Sequence, residues 1–155
     1  MANTYTQLNV QTVFAVKGRN NLLAPIFRNQ LFEYIAGILR NINQYPLAIG
    51  GYKDHVHIFF ELNPDSSLSD VLEKVKSNSS KWINTNWLVM DLGRFEWQRG
   101  YSGFTYSKSQ RNNVTQYIMN QENHHHEQTF KEEYLGMLKK FEMEYDERYI
   151  FEFYD

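Results

Sequence analysis

The chain has 155 residues, 42% of them hydrophobic and 16% aromatic, and a net charge of −2. That composition excludes a disordered chain and argues for one domain, residues 1–155, around one core. No apolar run reaches the roughly 20 residues of a membrane span and no signal peptide opens the chain, so a cytoplasmic protein without membrane contact is expected. The absence of cysteine excludes disulfides and thiolate metal sites.

Residues 5–16 alternate enough (Leu8, Val10, Thr12, Phe14, Val16) to predict a strand, turned at Lys17-Gly18-Arg19-Asn20. Pro25 is placed to start a helix whose apolar positions Ile26, Leu31, Ile35, Ile38 and Leu39 run to about Asn43. A strand near Leu47–Gly51 and a second one from Asp54 to Leu62 form a hairpin. Pro64-Asp65-Ser66-Ser67 breaks it, and Ser67 or Ser69 caps a helix to about Trp87. A strand or strand pair follows at Phe95–Ser107. A helix from Ser109, its expected N-cap, runs to about His126, and a shorter one spans about Phe130–Phe141. The order β-α-β-β-α-β with additional C-terminal helices predicts an α+β, ferredoxin-like fold with an antiparallel sheet.

Within the second hairpin strand, His55 and His57 bracket Val56. Side chains alternate along a strand, so both imidazoles share one face, and Val56 and Ile58 are left for the core. Two imidazoles so placed can converge on a divalent ion if a third ligand arrives from elsewhere; the bland alternative is a pair of polar residues on a solvated sheet face. In the helix beginning at Ser109, Tyr117 and Gln121 are i and i+4 and therefore neighbours on one face. Gln121 offers a hard carbonyl oxygen suited to Mg²⁺ or Mn²⁺, and Tyr117 a phenol able to act as a nucleophile beside that ion. An ordinary amphipathic helix is the competing reading of this segment alone. His124-His125-His126 also looks like a metal tract, but consecutive helical residues diverge by about 100° and cannot all face one ion; either His124 or His125, one turn from Gln121, can approach the site.

The net charge conceals an asymmetry. Residues 131–155 hold 4 basic and 8 acidic side chains, leaving the rest at +2. Lys74 to Arg111 holds seven basic residues against Asp91 and Glu96, interleaved with Trp82, Trp87, Trp97, Tyr101, Phe104 and Tyr106. That mixture suits a single-stranded nucleic acid, whose phosphates need neutralising and whose bases stack; most of these aromatics serve equally well as core.

Taken together, His-hydrophobic-His and Tyr-x-x-x-Gln resemble the single-tyrosine HUH transposases of the insertion-sequence-200-like group. The resemblance runs over nearly the whole chain. It takes in Gly50-Gly51-Tyr52-Lys53-Asp54-His55-Val56-His57, the segment Lys76 to Asn84, Trp97-Gln98-Arg99-Gly100-Tyr101, Tyr117 to His125, and Glu144 to Tyr149. It implies the ferredoxin-like fold already expected, and a Mg²⁺ or Mn²⁺ ion held by His55, His57 and Gln121. It also implies attack by Tyr117 on single-stranded DNA to form a 5′-phosphotyrosine, with recognition of hairpin ends of an element. Lys53, Lys76, Ser80, Lys81, Arg99, Lys108 and Arg111 are the expected DNA contacts. A homodimer is expected, with tyrosine and histidines contributed by different chains through the polar link Ser107-Lys108-Ser109-Gln110. A host-domesticated single-strand nuclease would keep the same chemistry. A rival of another class is a non-catalytic RRM-like RNA-binding module, because Arg99 to Tyr106 nearly matches the RNP1 pattern. That run misses the pattern by one inserted and one absent residue and falls on the fourth strand instead of the third.

Overall fold

The computed structural model describes residues 3–18, 22–86 and 94–154; Arg19, Asn20, Trp87 and Asp91 lie outside the described residues. Four strands, β1 (Asn9–Ala15), β2 (Tyr45–Gly51), β3 (His55–Glu61) and β4 (Ser102–Tyr106), form one antiparallel sheet in the order β2-β3-β1-β4. Helix α1 (Pro25–Asn41) connects β1 to β2, and α2 (Leu68–Thr85) connects β3 to β4. This is the expected ferredoxin-like order.

The strand parity sorts the core. Val10, Phe14, Val56, Ile58 and Phe60 share one face and belong to the large apolar cluster that α1 contributes to through Phe27, Leu31 and Ile35, and α2 through Val71, Val75 and Ile83. Each helix begins where its sequence provides a start. Pro25 stands at the first turn of α1, where its missing N–H costs nothing, and the Ser67 hydroxyl accepts from the Asp70 amide at α2. Past the end of α1, Asn43 takes the left-handed conformation (φ 63°) that reverses the chain toward β2. Ile26, expected on the buried stripe, is 89% exposed, and its neighbour Phe27 points inward instead.

The opposite sheet face carries Gln11, Val13, His55, His57, Phe59, Phe104 and Tyr106. It is not open. Helices α3 (Arg111–Met119), α4 (Gln121–His124) and α5 (Phe130–Lys140) lie over it, so all seven residues of β1 are buried. Val114 and Ile118 of α3 pack on Ala48 and Phe59, and Phe141 just past α5 packs on Phe104 and Tyr106. The expected helix from Ser109 to His126 is divided. A 3-10 turn over Lys108–Gln110 is capped by Ser107, not Ser109, in a reciprocal capping box with Gln110. The chain then bends at Asn120, whose backbone leaves helical geometry.

Candidate active site

His55 and His57 sit on adjacent same-face positions of β3, with ring centroids 5.0 Å apart, and neither side chain is accessible to solvent. Each ring is oriented by a neighbour. His55 Nδ1 lies 2.7 Å from Asp54 Oδ1, and its ring stacks on Phe130 at 3.9 Å. His57 Nδ1 lies 2.9 Å from the Gln11 amide nitrogen, while the Gln11 carbonyl accepts from the Tyr106 hydroxyl. The contact with the Asp54 carboxylate fixes the His55 ring with Nε2 directed inward.

Inward, four elements converge. His55 Nε2 lies 2.9 Å from Gln121 Oε1 and 3.2 Å from Glu133 Oε1. His57 Nε2 is 3.3 Å from the same Glu133 oxygen, and His125 Nε2 is 3.0 Å from it and 3.1 Å from Gln121 Oε1. His125 donates its Nδ1–H to the Gln128 carbonyl at 3.0 Å, which turns its Nε2 toward the cluster. The Tyr117 hydroxyl donates to the other Glu133 oxygen, which also accepts from Gln121 Nε2 at 2.9 Å. The bend at Asn120 keeps Tyr117 and Gln121 on one carboxylate although no continuous helix joins them.

Sequence reasoning does not single out Glu133. It stands beside Glu132 in α5, and nothing in its local pattern separates the two; Glu132 caps its own helix in a box with Thr129 while Glu133 is buried. Nor does that reasoning single out Asp54, which directly precedes His55 and orients its ring. Of the histidine tract, His125 enters the cluster, His124 lies against the Tyr117 ring at 4.6 Å, and His126 is exposed.

The electrostatics follow from burial. For His55, desolvation opposes the charge, but hydrogen bonds to Asp54 and Glu133 outweigh it and raise the pKa to about 9. Desolvation dominates at His57 and lowers its pKa. At Glu133, burial favours the neutral acid, yet the surrounding imidazoles hold the carboxyl well below its usual range. Tyr117 is pushed upward, first by burial and then by the adjacent Glu133 charge, so its phenol is neutral at ordinary pH.

A divalent ion fits this donor set. The Nε2 atoms of His55, His57 and His125 converge with the oxygens of Gln121 and Glu133 in a water-poor interior, where protons or a metal ion must balance the carboxylate. His55, His57 and Glu133 each offer one ligand atom, all within 4.8 Å of one another, and Gln121 Oε1 adjoins them. The spacings of 2.9–3.3 Å also match neighbouring ligands of an octahedral ion with bonds of about 2.0–2.1 Å.

The expected DNA contacts do not form one patch. Lys76, Ser80 and Lys81 belong to α2, which packs on the sheet face opposite the histidines. Lys76 donates to the carbonyls of Gln98 and Gly100 at 2.7 and 2.9 Å, and burial lowers its pKa to about 8. The Ser80 hydroxyl donates to the Ser77 carbonyl. Arg111 is held by Asn9 and Glu61. Lys53, Lys81, Arg99 and Lys108 are exposed. Trp82 stacks on Tyr34 and Trp97 is wedged between Phe14 and Phe95, so both serve packing. The RNP1-like run occupies β4 at the sheet edge, with Phe104 and Tyr106 against Phe141. An RRM-like binding face is therefore absent there.

Comparison with known proteins bears on the fold and on the family. A solved structure assigned as a transposase from Deinococcus radiodurans R1 superposes with a TM-score of 0.63, covering 78% of this chain and 95% of the other at 21% identity. A REP-associated tyrosine transposase bound to a REP hairpin superposes at 0.55, covering 77% and 70% at 15% identity. These likenesses establish the fold. No curated protein sequence matches the chain. The sequence profile described as "Transposase IS200 like" matches residues 4–121, three quarters of the molecule and every strand of the sheet, and the chain belongs to that family of transposases.

Proposed function

We propose that this transposase cleaves and rejoins single-stranded DNA through a 5′-phosphotyrosine on Tyr117. The observation that carries the reading is the hydrogen bond from the Tyr117 hydroxyl to Glu133 at the same carboxylate that faces His55 and His57. His55, His57, Gln121 and Glu133 would hold Mg²⁺ or Mn²⁺, and such an ion polarises a phosphate oxygen when bound. Glu133 accepts the phenolic proton as Tyr117 attacks phosphorus. The Tyr117–phosphate bond forms as the bond to the 3′ oxygen breaks, and the proton taken up by Glu133 passes to that oxygen, leaving a free 3′-hydroxyl. Attack by another strand's 3′-hydroxyl reverses the step, so phosphoester bonds are exchanged and no ATP is required.

The DNA is inferred to be a hairpin end of the element that carries the gene, by analogy with the REP-hairpin complex of the similar fold. Within one chain Tyr117 already lies 6.0 Å from its own His57, ring centre to ring centre, so a homodimer is not needed to bring tyrosine and histidines together. A site shared between two copies would require the Ser107–Gln110 segment to give up its capping box and carry α3 onto a partner.

The test is to incubate the protein and Mg²⁺ with labelled single strands and hairpins carrying the sequences that flank its gene. A DNA adduct that survives SDS and is lost in EDTA, in His57→Ala and in Tyr117→Phe is expected, with perfect duplex left uncut. An adduct in Tyr117→Phe, or full activity in EDTA, would overturn the reading.

A further inference from the structure

A cavity of about 450 Å³ opens between α3 and α5 at the point where Tyr117 meets Glu133. The histidines do not line it; they lie behind these two side chains. Its size falls in the range of small-ligand clefts, about 300–1,000 Å³. One wall is largely apolar, built from Tyr106, Val114 and Phe141, with Tyr106 and Phe141 in an edge-to-face pair at 5.6 Å, so that one ring offers its face and the other its edge. The other carries Asn113, Gln128 and Lys140, whose side chains have no hydrogen-bond or ion-pair partner among the described residues. Burial raises the Tyr106 hydroxyl to about 12, so that wall is neutral.

We propose that this cavity receives a purine base of a nucleotide adjoining the scissile phosphate, turned out of the strand and held against Tyr106 and Phe141. The inference rests on Tyr117 being the nucleophile. A base is tethered to its own phosphate through a single sugar, so a cavity whose wall includes the attacking residue lies within its reach. An aromatic wall stacks any base, whereas free amides distinguish edges. Asn and Gln pair bidentately with the N6/N7 edge of adenine, and a lysine reads O6/N7 of guanine; both are purine edges. An unstacked base in a single strand enters such a pocket at little cost compared with one drawn from a duplex.

Gly136 makes the proposal testable. It lines the cavity from α5, and a Cβ built there meets nothing within 4 Å, so a side chain can be added at this position without displacing a neighbour at its root. Strands would be prepared with each of the four bases, or an abasic sugar, at the two positions adjoining the cleaved phosphate. At one of those positions wild type should form at least tenfold less adduct with the abasic sugar or a pyrimidine than with a purine. Gly136→Ala should keep that discrimination and Gly136→Phe should lose it, with both variants melting no lower than wild type. Separately, dAMP should shift the side-chain amide signals of Asn113 and Gln128 in wild type and in Tyr117→Phe, and fail to do so in Gly136→Phe. Equal cutting of abasic and purine strands, a preference for pyrimidine, or dAMP shifts that miss both amides would overturn the proposal. Should Tyr117→Phe still form adducts while dAMP shifts both amides, the base site stands and the nucleophile assignment falls.

Discussion

Glu133 is bonded to five side chains, His55, His57, His125, Tyr117 and Gln121, and is 3% exposed. A buried anion compensated in this way is costly to remove, because its partners are left facing one another without it. Breaking such a cluster costs about 3–5 kcal/mol. Glu133→Ala is therefore expected to lose about that much stability in EDTA, measured by urea unfolding, while Glu132→Ala loses only a helix cap, about 1 kcal/mol. Equal losses would show that the carboxylate is not central. His55 gives a pH signature of the metal-free protein. Its pKa is about 9 when folded against about 6.5 unfolded, so the folded state binds the proton more tightly. The stabilisation is fully present below pH 6.5 and is lost as the pH rises through about 9. Melting in EDTA should fall over that interval, and Asp54→Asn, which removes the first favourable hydrogen bond, should flatten the fall. A melting temperature that climbs across the window would contradict the assignment.

At the scale of elements, the hairpin, both crossover helices and the histidine strand are legible because each has its own local signal: strand parity, Pro25 at a helix start, Ser67 at a cap. The spacing of Tyr117 and Gln121 puts them on one helical face, but only the family resemblance separates them from an ordinary amphipathic helix. What could not be read is what covers the histidine face. Glu133 looks like any solvated glutamate of α5, and His125 like one of three surface histidines; only the docking of α5 onto the sheet brings them to His55. The bend at Asn120 is hidden too, since neither Gly nor Pro marks it. Gly50 has a tertiary reason that the sequence shows only as a glycine pair. A Cβ there would stand 2.4 Å from the Ile118 carbonyl oxygen, so its absence lets α3 lie against β2. Gly50→Ala must push away the backbone next to Tyr117. It is expected to cost about 1–3 kcal/mol, as overpacking does, and to reduce adduct formation by tenfold or more, since small misplacements of a reacting group are expensive. Gly37→Ala, in open space within α1, should instead stabilise by about 0.5–1 kcal/mol and leave adduct formation unchanged. Normal adduct yield in Gly50→Ala would mean that the seat of α3 does not set the site.

For the whole molecule, the sheet separates two functions. One face packs on α1 and α2; the other holds the histidines, the carboxylate and the tyrosine under α3, α4 and α5, where Phe130, Tyr134 and Leu138 extend the same apolar cluster. Basic residues on α2 are thereby removed from the site, and among the described residues no helix is long and apolar enough to cross a membrane. Because Tyr117 meets its own His57, mixing two inactive proteins, His55→Ala and Tyr117→Phe, should restore no cleavage under conditions that allow subunits to exchange. Recovered cleavage would instead establish sites shared between copies. The most direct test of the central claim is chemical: trap the protein–DNA adduct, digest it, and locate the attached nucleotide by mass spectrometry. A nucleotide 5′-phosphate on the peptide carrying Tyr117 is the result this account predicts, and attachment at any other residue, or cleavage with no covalent intermediate, would contradict it.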